Sequence, residues 1–184
     1  MRKLKLQVQI TADGFVAGPN GELDWMTWKW DDPLTKFVNQ LTDTSDTILL
    51  GRKMTDGFIG HWEKVKPESP EYAFAKKMVD TQKIVFSKTV KTVNGNNVRV
   101  ENGDLVAAID KLKAGAGKDI IVYGGAGFVT SMINHDLIDE LNLFINPATI
   151  GSGLRIFSGR KNLKLLCSAT YGCGIVVNTY GIGE

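Results

Sequence analysis

Short apolar runs, two of which lead directly into amphipathic segments, constrain the fold of this chain more than any other feature. The runs at 46–51 (DTILLG), 83–87 (KIVFS) and 119–124 (DIIVYG) are continuous and contain β-branched residues. Such runs are typical of strands that are buried on both faces of a parallel sheet. The first and the last are followed at once by stretches with helical periodicity, which predict helices that cover the sheet. The alternation predicts an α/β fold with three αβα layers and a mostly parallel sheet.

The two ends of the chain extend this prediction. Residues 4–10 alternate apolar and polar side chains, which predicts a strand with one buried face, and a long glycine-rich loop follows at 11–25. Residues 162–182 predict two strands around the turn YGCG, and therefore an antiparallel C-terminal hairpin. We expect about seven or eight strands in all, in one domain that spans the whole chain.

Three local predictions concern helix ends and cysteines. Asp32, with a proline after it, predicts the N-cap and first turn of a helix. The segment 52–62 predicts a short helix followed by a loop, which would place His61 in that loop. Cys167 and Cys173 flank the predicted hairpin turn and could face each other, although a cytosolic setting favours two reduced thiols.

The composition argues against several classes of partner. Lys and Arg number 22 and Asp and Glu number 20, so a net charge of +2 gives no strong field for nucleic acid or acidic membranes. No apolar stretch approaches the ~20 residues that cross a bilayer, and the alternating N-terminus lacks the apolar core of a signal peptide. A cytoplasmic protein is therefore expected. Because the chain has two histidines and two cysteines without recognisable ligand spacing, no metal site is predicted.

Three predicted strands end in residues that suit an anionic ligand. One strand runs into GRK at 51–53, the next into SK at 87–88, and the third into GGAG at 124–127. The carboxyl ends of parallel strands share one edge of a sheet, where helix N-termini offer unpaired amide groups to an anion. The same glycines also suit a tight turn without a ligand. Taken singly, each junction leaves both alternatives open; together they favour an extended ligand with more than one phosphate.

The chain lacks the motifs of two common classes of nucleotide-binding protein, and this limits which ligand the junctions could bind. Thr130 stands where the common dinucleotide fingerprint requires its third glycine. Ile145 stands about twenty positions after Gly125, where that fingerprint places an acid for the ribose. The phosphate loop of nucleotide hydrolases is also absent. Arg52, Lys53 and Lys88 near the junctions would suit a 2′-phosphate. These features favour NADPH over NADH.

Five ordered segments resemble one known family. ILLGRKMTDGF, VFSKTV and IIVYGGAGFVTSMI resemble the dihydrofolate-reductase-like fold, and specifically its branch that contains the reductase domain of bacterial riboflavin biosynthesis. QITADGFVAGPNGELDW is similar to the S/T-x-D-G-x-I/V-A motif of that branch, and LFINPATIGSGLRIF to its P-x-x-x-G-x-G-x-x-L/I-F segment. The resemblance covers nearly the whole chain.

The resemblance implies an oxidoreductase that transfers a hydride from NADPH to a C=O or C=N bond of a pteridine- or pyrimidine-like molecule. One such acceptor is 5-amino-6-(5-phosphoribosylamino)uracil, and many relatives are homodimers. The loop after the first strand would meet the nicotinamide, and the three junctions would hold the phosphates and the adenosine. The implied cofactor-binding residues are Val16, Ala17, Gly51, Arg52, Lys53, Met54, Phe86, Ser87, Lys88, Gly124, Gly125, Ala126, Gly127 and Phe128.

The substrate half of the site is less well defined. Asp13 follows the first strand at the mouth of the expected cleft, where it could bind a substrate amine or relay a proton, or could simply form the turn before the next glycine. Trp25 could stack on a planar ring or cover the core. His61 is expected at the surface, and His135 at a helix end. Asp13 and Trp25 are therefore the candidate substrate-binding residues, with Asp13 as the candidate catalytic residue.

Two departures from the family pattern keep other functions open. Dihydrofolate reductases carry a carboxylate on the inward face of the first helix, whereas Asp31 and Asp32 stand only at the start of this one. The zinc deaminase signature that usually accompanies the riboflavin reductase is absent, which predicts a stand-alone reductase or a relative with another substrate. The alternatives are a non-catalytic protein that binds a nucleotide or flavin, and a divergent dihydrofolate reductase.

Overall fold

The computed structural model describes residues 1–183 and contains one sheet of eight strands with five α-helices. In chain order the elements are β1 (Leu4–Thr11), α1 (Asp32–Asp43), β2 (Ser45–Gly51), α2 (Arg52–Glu63), α3 (Tyr72–Asp80), β3 (Gln82–Phe86), β4 (Val98–Glu101), α4 (Leu105–Ala114), β5 (Asp119–Val122), α5 (Ala126–Asn134), β6 (Glu140–Asn146), β7 (Leu163–Thr170) and β8 (Val176–Ile182).

The strands lie in the order β4-β3-β2-β5-β1-β6-β8-β7. β1 to β6 all run parallel to one another, whereas β8 pairs antiparallel with β6 and with β7. The predicted mostly parallel sheet with an antiparallel C-terminal hairpin is therefore confirmed.

Two apolar layers cover the faces of the parallel strands. Alternate side chains of a strand point to opposite faces, so Leu49 and Ile84 join the cluster that holds residues of α4 and α5. Ile48 and Val85, their neighbours in sequence, join the cluster on the other face, which holds residues of α1 and α3. Each such fully buried side chain contributes about 1.5–3 kcal/mol of transfer free energy. The predicted three-layer αβα arrangement is confirmed.

The prediction that β1 has only one buried face is wrong. Leu4, Leu6, Val8 and Ile10 lie in the cluster against α4 and α5 as expected, but on the other face Lys5 and Gln7 are only 8% and 6% exposed. The reason is position, because β1 lies between β5 and β6 in the interior of the sheet. Lys5 is tolerated there because its ammonium pairs with Asp119 at 2.9 Å and donates to Thr44 Oγ1 at 2.9 Å.

Three local predictions, two on helix ends and one on the cysteines, are corrected by the structure. The N-cap of α1 is Asp31 rather than Asp32, since Asp31 Oδ1 accepts a hydrogen bond from the Leu34 amide at 2.9 Å. α2 continues to Glu63, so His61 lies in its last turn and not in a loop. Cys167 and Cys173 do not face each other, because Cys167 lies opposite Thr179 and Cys173 lies in the turn that joins the strands.

Candidate active site

Six strands end at the same edge of the sheet because they run parallel. The last residues of these strands are Thr11, Gly51, Phe86, Glu101, Val122 and Asn146. All of the loops in which the sequence predicts ligand-binding residues start from this carboxyl edge. The fold therefore brings the predicted residues to one side of the molecule.

The chain reverses its direction across the sheet between β2 and β5, which are neighbours. From β2 the chain continues to β3 on one side, whereas from β5 it continues to β6 on the other side. Open α/β sheets bind ligands at such a switch point, between the two connecting helices, and we refer to this position as the crevice.

Glycines line this crevice for reasons of backbone geometry. Gly124 and Gly125 have φ values of +142° and +88°, a backbone conformation that residues other than glycine rarely adopt. A Cβ at Gly125 would lie 3.5 Å from the Cα of Gly51, and a Cβ at Gly51 would lie 2.9 Å from the Cβ of Phe128. The two turns thus pack directly against each other, which supports the tight-turn alternative for these glycines.

At Gly127, by contrast, neither the backbone conformation nor the surrounding space requires glycine. It lies in the first turn of α5, is exposed, has no positive φ, and a Cβ there would meet nothing within 4 Å. Glycine costs about 0.5–1 kcal/mol relative to alanine within a helix. Neither packing nor backbone geometry explains this glycine.

Two helices begin at the crevice without a capping side chain. The N-caps of α2 and α5 are Gly51 and Gly125, and neither helix has a side-chain hydrogen bond to its first amides. By contrast, α1 and α4 are capped by Asp31 and Asp104. The first amides of a helix have no partner within the helix and carry part of its positive dipole. The crevice therefore presents two sets of amide donors to an anion.

The predicted cations lie near the crevice, but two of them have protein partners. Arg52 Nη1 pairs with Asp56 Oδ2 at 2.9 Å on the surface of α2. Lys88 Nζ donates to the carbonyl oxygen of Gly103 at 2.7 Å. Lys53 is exposed and has no ion-pair partner among residues 1–183.

The end of β3 is shaped by contacts that stabilise its turn. The Phe86 and Phe128 rings lie 5.2 Å apart between centroids, which joins this strand end to the start of α5. Ser87 Oγ accepts hydrogen bonds from the amides of Thr89 and Val90, both at 3.1 Å. Asn102, which the sequence analysis did not single out, donates to the Ser87 carbonyl oxygen at 2.6 Å.

Asp13 connects the loop after β1 with the loop after β6. One carboxylate oxygen accepts from Thr11 Oγ1 at 2.6 Å, and the other accepts from the amides of Ile150 and Gly151 at 3.1 and 2.8 Å. The hydrogen bond from Thr11, opposed in part by desolvation and assisted by these amides, holds the pKa of Asp13 below its usual value. An ionised acceptor suits a role in holding the two loops together and does not suit proton donation.

The same two loops are held together along the backbone. The Val16 amide donates to the Leu154 carbonyl oxygen and the Leu154 amide donates to the Ala17 carbonyl oxygen, each at 2.8 Å. A Cβ at Gly153 would collide with the carbonyl oxygen of Ala17. Val16 and Ala17, predicted to meet a nicotinamide, therefore lie in a fixed wall at the end of β1.

The tryptophans of the loop at 18–30 differ in environment. Trp25 is half-buried and its indole donates to the Glu22 carbonyl oxygen at 3.3 Å. Trp30 stacks on Phe144 with centroids 6.4 Å apart, whereas Trp28 is 67% exposed. The loop is attached to the end of β6 by the Thr27 amide, which donates to Asn146 Oδ1 at 2.8 Å. Only the indole N–H and ring of Trp28 are largely open to solvent.

Other features of the described chain lie away from this edge. A cavity of about 320 Å³ is lined at the opposite, amino edge of β3 and β4 by Asp80, Gln82, Gly95, Asn97, Val98 and Arg99. Within residues 1–183, no three His, Cys, Asp or Glu side chains are grouped to hold a metal ion. None of the helices in that range is long and apolar enough to span a membrane.

Comparison with known proteins gives one family and two curated relatives. The model of the RibD C-terminal domain matches residues 2–177. The chain is 36% identical over 182 residues to the uncharacterized protein YyaP of Bacillus subtilis (strain 168), which covers 97% of this chain and 94% of that protein. It is 27% identical over 161 residues to the uncharacterized protein YwjB of the same organism, covering 88% and 86%.

Solved structures share the fold at low identity. A protein from Shewanella sp. PV-4, provisionally assigned to riboflavin biosynthesis, is 23% identical with a TM-score of 0.76 and full coverage of both chains. A pyrimidine reductase-like protein from Corynebacterium diphtheriae NCTC is 16% identical with a TM-score of 0.68, covering 100% of this chain and 92% of that one.

Proposed function

The chain belongs to the family of RibD C-terminal domains, and on this basis we propose that it is an NADPH-dependent reductase of a small heterocyclic molecule. The dihydrofolate-reductase-like fold and the riboflavin-biosynthesis branch indicated by the sequence are confirmed by the family match and the structural neighbours. Beyond family membership, we propose that NADPH is the cofactor, that the reaction is a hydride transfer and that the acceptor is a small heterocyclic molecule.

One observation carries the proposal: α2 and α5 begin next to each other at the point where the chain reverses across the sheet, and neither helix has a side-chain cap on its first amides. A dinucleotide has a diphosphate at its centre, and two adjacent uncapped helix N-termini supply amides for both phosphates. Gly127 leaves the approach to α5 open. The residues present therefore fit the diphosphate of NADPH, with Gly51 to Met54 on one side and Gly124 to Phe128 on the other.

The preference for NADPH over NADH depends on the three cations. Arg52 and Lys53 are proposed to contact the 2′-phosphate from the first turn of α2. Lys88 is proposed to join them by leaving the carbonyl oxygens of Asn102 and Gly103, to which it donates at 3.3 and 2.7 Å. Phe86 and Ser87 would border the adenine.

When bound, NADPH supplies the hydride for reduction of the C=O or C=N bond. The chain's own contribution is orientation: Val16 and Ala17 form the wall at the end of β1, and Asp13 holds that wall to the loop after β6 through Gly151. Trp25 is proposed to contact the acceptor ring. Because Asp13 is an ionised acceptor, we assign the proton that completes the reduction to water.

Two alternatives make different predictions. A divergent dihydrofolate reductase would need a carboxylate beneath the acceptor, but the buried residues of α1 are Leu34, Val38, Leu41 and Thr42. A non-catalytic nucleotide- or flavin-binding protein would keep the crevice and lack turnover. Few side chains at the carboxyl edge could act as a general acid or base, and this observation favours the second alternative.

The proposal is tested by titrating NADPH and NADH while following cofactor fluorescence and thermal unfolding. Cofactor at 100 times its Kd should stabilise the fold by about 2.7 kcal/mol. Oxidation of NADPH should then be measured with a panel of pteridines, pyrimidines and quinones. Binding without oxidation by any acceptor would favour the non-catalytic alternative, and absence of binding at millimolar NADPH would contradict the proposal. An Arg52→Ala, Lys88→Ala variant should lose the preference for NADPH.

A further inference from the structure

Arg155, in the loop between β6 and β7, is a cation without a partner in the part of the chain that the structure describes. Within residues 1–183, no carboxylate lies within ion-pair distance of it, and its guanidinium donates no hydrogen bond. No role for Arg155 could be predicted from the sequence, because its neighbours in space come from distant parts of the chain.

The guanidinium of Arg155 is nevertheless held in place. Its central carbon lies 4.0 Å from the centroid of the buried Phe15 ring, an arrangement that attracts a cation to the face of an aromatic ring. Leu154, the residue before Arg155, is fixed by backbone hydrogen bonds to the loop after β1. Ile156, the residue after it, is buried in the core. The side chain therefore starts from a restricted position above the end of β1.

The two loops contain a carboxylate, yet the two opposite charges are not paired. Asp13 directs its carboxylate to the amides of Ile150 and Gly151 instead. A Cβ at Gly14 would lie 3.2 Å from Nη1 of Arg155, so glycine there leaves room for the guanidinium. This arrangement leaves the donors of Arg155 available at the carboxyl edge, close to the candidate active site.

We propose that Arg155 binds a phosphate group of a molecule that occupies the candidate active site. A guanidinium is planar and its N–H donors match the oxygens of a phosphate in pairs. Stacking on Phe15 reduces the side-chain freedom that binding would otherwise remove. The inference deepens the proposed function and rests on it for the identity of that molecule, since either the acceptor or the cofactor could carry the phosphate.

The test is an NMR titration of the full chain with inorganic phosphate, followed at the Nε–Hε resonances of the arginines. Arg160 is the matched control, an exposed arginine of the same loop without an ion-pair partner among residues 1–183. The Arg155 resonance should shift and saturate. Arg155→Gln should weaken phosphate binding about tenfold, and Arg160→Gln by less than about twofold. Equal shifts of both arginines without saturation would overturn the inference.

A second titration, with NADPH at saturation, distinguishes the two sources of phosphate. If NADPH itself shifts Arg155 and prevents phosphate binding, the phosphate belongs to the cofactor. If phosphate still shifts Arg155 in the presence of NADPH, the acceptor carries it. The first titration requires no cofactor, so a failure of NADPH to bind would contradict the proposed function and leave the test of Arg155 intact. Thermal unfolding of both variants checks that they are folded.

Discussion

The contacts of Asp13 favour a role in holding two loops together over a role in proton transfer. Its oxygens accept hydrogen bonds from one hydroxyl and two amides, and the amides belong to a loop about 140 positions away. The lowered pKa means that the ionised form is the one the fold stabilises. This stabilisation is fully present above the unfolded pKa of about 3.9 and is lost as the pH falls through the lower folded pKa.

We expect Asp13→Asn to loosen the contact between the loop after β1 and the loop after β6. We do not expect it to remove a titrating group from the catalytic mechanism. The amide group loses the charge and one acceptor, so the Ile150 and Gly151 amides should exchange with solvent faster. Misplacement of the wall that holds Val16 should lower kcat on the order of ten- to a hundredfold. The pH profile of kcat should keep its shape. Loss of one limb of that profile in Asp13→Asn would show instead that Asp13 relays a proton.

Residue roles were predictable only where they follow from local sequence. The glycines at 124 and 125 could be identified because a strand ends and a helix begins there. Asn146 and Arg155 could not, because their roles depend on contacts with Thr27 and Phe15, more than a hundred positions away. Asp13 was predicted as a candidate catalytic and substrate-binding residue, but two of its hydrogen bonds come from amides whose position the sequence does not reveal.

Among the helices and strands, the two glycine-capped helices are the feature on which the proposed site depends. Gly125 favours glycine because of its positive φ, whereas a Cβ there would meet Gly51 only at ordinary van der Waals distance. Gly127 is different, since alanine would fit both the backbone and the space. A glycine that weakens the first turn of a helix without a packing reason is consistent with close approach of a ligand.

Gly127→Ala is therefore expected to separate stability from binding. The free energy of unfolding should rise by up to about 0.5–1 kcal/mol, because alanine is the better helix former. NADPH affinity should fall about tenfold as the methyl group obstructs the diphosphate. Gly60→Ala is the matched control, a helical glycine of α2 with open space around it, and it should stabilise the fold without changing affinity. An unchanged NADPH affinity in Gly127→Ala would count against the diphosphate assignment.

The end of α3 depends on a buried lysine. Lys83 is 2% exposed, and its ammonium donates to the carbonyl oxygens of Met78, Val79 and Thr81 at 2.7–2.8 Å. Met78 and Val79 lie in the last turn of α3 and Thr81 is its C-cap, and carbonyl groups there have no partner within the helix. Burial lowers the pKa of Lys83 to about 8, with Glu63 and Asp80 opposing the shift.

This pKa predicts an unusual pH dependence. Because the folded state releases the Lys83 proton near pH 8 and the unfolded state near 10.4, the folded state gains relative stability between these values. The free energy of unfolding of the wild type, minus that of Lys83→Met, should therefore rise from pH 7.5 to pH 10. Urea denaturation at both pH values measures it. A difference that stays constant or falls would contradict the assigned pKa direction.

Helices and strands were predictable where the sequence shows one clear pattern, such as the continuous apolar runs of β2 and β5. β1 was mispredicted on one face because Lys5 and Gln7 look like solvent-facing residues in sequence, and only the order of the strands buries them. The length of α2 was underestimated because the glycines at positions 57 and 60 suggest an early end, whereas packing of Ile59 in the core supports the helix through them.

At the scale of the whole molecule, β7 is an edge strand with an apolar surface. Leu165 and Leu166 are each 54% exposed, and Ile182 on the neighbouring β8 is 41% exposed. Lys164 is the only charged residue of β7. An unprotected apolar edge favours pairing with another chain, and a two-fold axis would pair β7 with its own copy.

We therefore expect a homodimer, as the resemblance also implies, with β7 in the interface. Light scattering should give a mass of twice 20.2 kDa. Leu165→Lys, Leu166→Lys should shift the mass to that of one chain, whereas Leu23→Lys, at an exposed apolar position far from β7 in sequence, should not. A wild type that remains monomeric at tens of micromolar would contradict the expectation.

We propose that the N-termini of α2 and α5 together hold the diphosphate of NADPH. A crystal structure of the NADPH complex would test this proposal. We expect phosphate oxygens within about 3.2 Å of the amides at the start of both helices, next to Gly51 and Gly125. A cofactor bound elsewhere, for example in the cavity at the opposite edge of β3 and β4, with both glycine turns free of phosphate, would contradict it.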